Sequence, residues 1–257
     1  MNNLFGMEAI AAGYAGSRPP VHPHVIELIR RRRPQKARRA LDIGCGAGLS
    51  TQPLDRLAGQ CFGIEPAESM LRRSSGVAPG AMFVAGVAEA LPFRDGSIDL
   101  ITAAGSLNYA DLSRFFPEAA RVLTPSGALI VYDFSGGRSF RDSGALDVWY
   151  AEFENQYPAA QDGAKHLTPE SLAALPYGFT LSEHEQFEIG LSLTPAFYLD
   201  YVMTETNIAW AVQNGVPPEA IRLWCANSLE GVFGGAAREV LFRGYIAYME
   251  AGGITAG

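Results

Sequence analysis

Leu41 to Thr51 reads LDIGCGAGLST, and the fold follows from it. Apolar Ala40, Leu41 and Ile43 make a short buried strand, Gly44, Gly46 and Gly48 follow at alternate positions, and a helix is expected from Leu49 to Ala58. Residues without a Cβ let the backbone take positive φ and come close to a bound molecule, so a strand-to-helix turn of this kind is built for a ligand to lie against it. In a chain with 28 glycines the spacing alone is weak, and the neighbouring sequence decides. Cys61 to Glu65 (CFGIE) reads as a second strand. Its last residue is an acid about 20 positions after the glycines, where a nucleotide-binding βαβ unit carries the carboxylate that bonds ribose hydroxyls.

Further along come Pro66 to Leu71, AEALPF at Ala88 to Phe93 and SIDLI at Ser97 to Ile101. Together with the glycine turn and Glu65, these motifs resemble the class I S-adenosylmethionine-dependent methyltransferases. The nearest group is the type 11, ubiquinone/menaquinone-biosynthesis and trans-aconitate methyltransferase-like enzymes, and the resemblance spans residues 40 to 135. It implies S-adenosyl-L-methionine as donor, S-adenosyl-L-homocysteine as product and no metal. It also implies a donor site made by Asp42, Gly44, Cys45, Gly46 and Gly48, by Glu65, Pro66 and Met70, by Val87, Ala88 and Glu89, and by Ser106. In the related enzymes a Tyr and an Arg-Pro pair near the N-terminus fold over the donor, which makes Tyr14 and Arg18 candidates; an ordinary entry loop is the alternative.

The chain departs from the family pattern twice. Gly86-Val87-Ala88-Glu89 stands where the family usually has Gly-Asp-Ala-Glu, so the Asp that meets the adenine amino group is replaced by Val87. Val87 either packs on the ring or belongs to the core. After strand four, Gly105-Ser106-Leu107-Asn108-Tyr109 occupies the place of an Ala-Leu-His-Trp sequence. Asn108 replaces the His, while Tyr109 keeps a ring that can face a sulfonium.

The remaining elements complete an α/β architecture. A helix Phe5 to Tyr14 precedes the Arg18-Pro19-Pro20 break, and a basic helix His22 to Arg33 ends at Pro34. Ala81 to Ala85, Ile98 to Ala103 and Ala128 to Phe134 read as strands, Pro66 to Ser74 and Leu112 to Leu123 as helices. Right-handed crossovers then give a doubly wound, mostly parallel seven-stranded sheet, a Rossmann-like methyltransferase fold, with the ligand crevice at the strand C-termini. Beyond Ser135 the family motifs stop and aromatic residues accumulate. Phe179 to Leu193 and Glu239 to Glu250 read as the last two strands; helices at Ala145 to Gln156 and Ala196 to Val212 are insertions that form a helical cap. The organisation expected is one domain, with an N-terminal helical segment over 1–39, a donor-binding core over 40–135, cap insertions within 136–238 and the last strand at 239–250.

Composition narrows the function. With 48% hydrophobic and 18% charged residues, no apolar run long enough for a bilayer, no signal-like N-terminus and three scattered cysteines, the chain reads as a soluble cytoplasmic protein, monomer or homodimer. Eight basic side chains stand against two acids in residues 1–39, leaving the rest at −13. An RNA patch and a solvated helix end both account for this run, and the acidic body disfavours nucleic acid as acceptor. There is no H-E-x-x-H and no G-x-S-x-G. A nicotinamide oxidoreductase is the competing enzyme class, but Leu49 stands where G-x-G-x-x-G needs its last glycine and the chain has no Tyr-x-x-x-Lys. A non-catalytic donor-binding protein is the third reading. The acceptor is expected to be a small molecule lying between Asn108-Tyr109 and the insertion helix, with Tyr198, Tyr201 or Trp210 as far wall and Asn108, Tyr109 and Tyr201 as the catalytic set. His22, His24, Tyr109, Asp133 and Tyr201 are the candidate bases.

Overall fold

The computed structural model describes residues 16–159 and 164–252; the helix expected at Phe5 to Tyr14 lies outside them. The chain divides into two compact units. The sheet unit comprises His22–Phe134, Gly163–Phe187 and Gly244–Gly257; the helical unit comprises Met1–Val21, Ser135–Asp162 and Glu188–Arg243.

In the sheet unit, β1 (Ala37–Ile43), β2 (Ala58–Glu65), β3 (Met82–Ala85), β4 (Ile98–Ala104) and β5 (Leu123–Phe134) pair in parallel in the order β3-β2-β1-β4-β5. β8 (Arg238–Ala251) then pairs antiparallel with β5, and β7 (Phe179–Leu193) pairs with β8. Bonds from Gly252 to Gly178 and from Ser182 to Tyr248 run in opposite senses along these last two strands, so they are antiparallel to each other, as expected. The helices of this unit are α1 (Val21–Arg32), α2 (Glu68–Val77), α3 (Leu112–Val122) and α5 (Pro169–Ala173). Asp111 caps α3, its carboxylate accepting the Ser113 N–H at 3.0 Å. One core cluster joins Leu41, Ile43, Ile101, Phe115, Phe116, Leu129 and Met249, all buried. The central strands are apolar on both faces because helices cover both sides of a parallel sheet.

Two expectations in this unit are corrected. The helix read at Leu49 to Ala58 is a single short 3-10 segment, Gln52–Arg56, with Pro53 in its first turn. Strand β2 starts at Ala58. The strand expected from Ala128 begins at Leu123, which pairs with Ile98, and the register shifts before Leu100, so Thr124 to Gly127 form a bulge within β5.

The helical unit contains β6 (Ser139–Phe140), paired with Val240 and Leu241, and the helices α4 (Ala145–Gln156), α6 (Pro195–Val202), α7 (Thr206–Gln213) and α8 (Pro218–Phe233). Thr194 caps α6 as expected, accepting the Phe197 N–H at 3.1 Å. The single helix read over Ala196 to Val212 is broken at Met203 to Glu205, where the Thr204 hydroxyl turns back onto the Tyr201 carbonyl at 2.6 Å. α8 carries Cys225, Leu229 and Phe233 inward and was not anticipated.

Candidate functional site

The glycine turn leaves the C-terminal end of β1 with Gly44, Gly46 and Gly48 all at positive φ (62°, 54° and 90°). Two of them show why a side chain is excluded. A Cβ on Gly44 would lie 2.4 Å from the Cβ of Ser106, so the turn can press against the end of β4 only without one. A Cβ on Gly46 would meet nothing within 4 Å; this left-handed backbone faces open space, and that is the surface on which a ligand can rest.

Glu65 holds the turn. Its Oε2 accepts the Gly46 N–H at 3.0 Å and its Oε1 accepts the Ala67 N–H at 2.8 Å. One carboxylate thereby ties the end of β1 to the end of β2. Burial pushes its pKa up, opposed by the two backbone N–H donors.

Asp42 lies beneath. It is fully buried and accepts three hydroxyls, from Ser50 at 2.6 Å, Thr51 at 2.7 Å and Thr102 at 3.0 Å. Burial pushes its pKa up to about 6 against the opposing pull of those bonds. Its carboxylate has no open surface, and it fastens the segment after the turn to β4 from below. Ser50, Thr51 and Thr102 were missed in the sequence; Thr102, a lone hydroxyl inside apolar β4, was the available signal.

The other expected donor residues fall into two groups. Pro66 and Val87 are exposed, the latter at 43%, so Val87 is not a core residue and its apolar surface is open to a ring. Ala88 is partly buried against the core. Cys45 and Met70 are buried, and burial pushes the Cys45 thiol far up. Glu89 accepts the Asp111 N–H at 2.7 Å, and the Ser106 hydroxyl donates to the Ile43 carbonyl. Both brace the loops at the strand ends.

At the C-terminal ends of β4 and β5, Gly105 takes φ +66° and donates its N–H to Tyr132 O at 2.9 Å. This turns Ser106 to Tyr109 into a short 3-10 segment. Asn108 donates from Nδ2 to Asp133 Oδ2 at 2.9 Å, and its carbonyl accepts the Lys165 N–H at 2.8 Å. Lys165, also missed in the sequence, donates from Nζ to Ala110 O at 2.9 Å. Tyr109 is 49% exposed. Asn108, Tyr109 and Asp133 thus share one end of the sheet unit. Of the two histidines considered as bases, His22 bonds through Nδ1 to the buried Tyr132 hydroxyl at 2.9 Å, and His24 is exposed.

In the helical unit, the Tyr201 side chain is 2% exposed and its hydroxyl donates to Gly136 O at 2.7 Å, as Tyr198 does to Gly137 O at 2.8 Å. Both hydroxyls hold the Gly136-Gly137 loop. The Arg18 guanidinium is committed to Glu205 at 3.1 Å and to Thr204 O at 3.1 Å, over the Tyr201 ring. Glu205 balances its charge within this unit. Tyr14 lies outside the described residues. Among the described residues no group of three or more His, Cys, Asp or Glu could hold a metal ion, and no helix is long and apolar enough to cross a membrane.

A parallel sheet in this strand order, with a last antiparallel strand and a glycine turn clamped by an acid at the end of β2, defines the class I methyltransferase architecture. Residues 41–131 match the family model described as a methyltransferase domain. An uncharacterised methyltransferase of Mycobacterium tuberculosis is 29% identical over 207 residues, 80% of this chain and 78% of the relative. The ubiquinone/menaquinone biosynthesis C-methyltransferase of Psychromonas ingrahamii is 35% identical over 111 residues, 39% of this chain and 44% of the relative. A solved structure from Anaeromyxobacter dehalogenans, assigned as a type II methyltransferase, superposes with a TM-score of 0.63 at 22% identity, covering 83% of this chain and 89% of that one. The chain thus carries a match to a methyltransferase domain over residues 41–131 and shares the fold of solved class I methyltransferases.

Proposed function

We propose that the protein transfers the methyl group of S-adenosylmethionine to a small-molecule acceptor at the C-terminal edge of the sheet unit. The observation that carries this reading is the Glu65 carboxylate bonded to both Gly46 and Ala67, beside a glycine whose missing side chain leaves open space. A carboxylate fixed in that way offers acceptor lone pairs to two ribose hydroxyls, and the bare turn admits the donor's chain alongside it. The exposed Val87 supplies an apolar contact for the adenine in place of a side-chain hydrogen bond.

The donor brings its own electrophile, a methyl carbon on a sulfonium. What remains for the chain is to bind, align and keep water away, and positioning of that kind can supply roughly 7 to 11 kcal/mol of a barrier. Glu65 and the turn fix the ribose end. Ser106, braced on Ile43, fixes the spacing between the turn and the loop that carries Asn108 and Tyr109. The Tyr109 ring is suited to face the cation. An acidic body and the absence of any Asn-Pro-Pro-Tyr sequence after β4 support a small molecule over nucleic acid as acceptor.

Calorimetric titration of the full chain with S-adenosylhomocysteine and, separately, with NAD and NADP tests this reading. Heat with the first and none with the nucleotides is expected. Binding of a nicotinamide nucleotide alone would transfer the chain to the oxidoreductases.

A further inference from the structure

Tyr245 of β8 stands directly opposite Asp133 of β5 in the antiparallel register. Opposed residues point to the same face with Cβ atoms about 5 Å apart, so the phenol and the carboxylate are neighbours at the same end of β5 as Asn108. Asp133 is aimed from two sides: Oδ2 accepts from Asn108 Nδ2 at 2.9 Å and Oδ1 accepts the Phe134 N–H at 2.8 Å. Tyr245 is 8% exposed, and its hydroxyl is buried with no hydrogen-bond partner among the described residues. Buried hydroxyls in folded proteins are nearly always paired, and one left over beside an oriented carboxylate marks a partner that comes from outside the chain. Burial and the nearby charges of Asp133 and Glu170 keep the phenol protonated, so it can only donate to a partner that brings a lone pair. The carboxylate, in turn, can take a proton.

We propose that a hydroxyl of the acceptor binds between these two side chains, donating to Asp133 and accepting from Tyr245. One hydroxyl satisfies both demands, since it carries one proton and two lone pairs. The inference rests on the methyl-transfer reading and narrows it: the acceptor is an alcohol, enol or phenol, methylated on oxygen. As transfer occurs, an oxygen lone pair forms the new bond to carbon and the sulfur–carbon bond breaks with its electron pair returning to sulfur. The hydroxyl proton passes to Asp133 and then to water. Asp133 and Tyr245 touch the acceptor, while Asn108 is a positioning residue that acts through Asp133.

The test is an NMR titration of the full chain, with and without S-adenosylhomocysteine, using phenol and its methyl ether anisole as probes. Phenol is expected to bind about tenfold more tightly than anisole, the worth of one or two buried hydrogen bonds. Tyr245→Phe should remove most of that preference while leaving anisole binding, S-adenosylhomocysteine binding and Tm unchanged, because the deleted hydroxyl has no hydrogen-bond partner among the described residues. Asp133→Asn should reduce the preference as well. Equal binding of the two probes, or a phenol preference untouched by Tyr245→Phe, overturns the inference. Loss of S-adenosylhomocysteine binding alone would instead count against the donor reading, since the phenol preference is also read without it.

Discussion

The ligand edge of the sheet unit and the aromatic cluster of the helical unit are built on opposite plans. At the edge, small and polar residues are bonded to backbone: Glu65 accepts the Gly46 N–H, 19 positions before it, and the Ala67 N–H, and so joins two loops. In the helical unit, large rings from distant segments stack on one another. Trp149 lies 5.2 Å from Phe153 and 6.0 Å from Trp224, and its indole N–H donates to Ser228 at 2.7 Å, 79 residues away. The first plan fixes a shape with hydrogen bonds and leaves space beside it. The second fills its space, and its hydroxyls, those of Tyr198 and Tyr201, close on the chain's own carbonyls. A polar group at an edge that faces outward can serve a ligand, whereas one already bonded inside a packed cluster serves the fold.

This contrast can be broken by mutation. Tyr201→Ala should be the costliest change, removing a buried ring and the bond to Gly136. About 3 to 5 kcal/mol of stability should be lost in denaturant unfolding, with the donor affinity of the folded fraction within about twofold of wild type. A large loss of donor affinity at preserved stability would return Tyr201 to the site. Gly44→Ala should come next. The added Cβ meets Ser106 at 2.4 Å in a left-handed backbone, a combination of strain and overpacking on the order of 2 to 4 kcal/mol. A variant as stable as wild type would mean that the turn has slack.

Asp42 gives a test by pH. Its folded-state pKa of about 6 lies above the ordinary 3.8, so between those values the folded chain holds a proton that the unfolded chain has released. Stability from this group is present below about pH 4 and is lost as pH rises to about 6, on the order of 2 to 3 kcal/mol. Asp42→Asn should flatten that part of the stability profile, measured by urea unfolding at pH 4 and pH 7; an unchanged profile would show that another group titrates. The smallest effect is expected of Val87→Asp, which places an acceptor at an exposed position beside the donor. It should tighten S-adenosylhomocysteine binding by about 0.5 to 1.5 kcal/mol, and a weaker complex would show that the apolar contact is the better one.

The same contrast explains what the sequence made legible. The parallel strands, the glycine turn and the acid ending β2 depend on short-range spacing, and the sequence carries them legibly. α4 and β7 were found with the boundaries the structure gives. The Asp42 hydroxyl cluster and Lys165 were not, because Thr102 and Lys165 reach their partners only after β4 and the 163–187 segment are in place. The break between α6 and α7 was hidden by apolar spacing that continues through Met203. α8 carries its own signals, Pro217-Pro218-Glu219 at its start and Gly234 in the left-handed C-cap.

The central claim is that Glu65, through the glycine turn it holds, binds the donor's ribose. Side-by-side calorimetric titrations of the wild-type chain and Glu65→Ala with S-adenosylhomocysteine test it most directly. A loss of about 1.5 to 3 kcal/mol in binding free energy is predicted for the variant, the worth of charge-assisted hydrogen bonds. Equal affinity in the two proteins would contradict it.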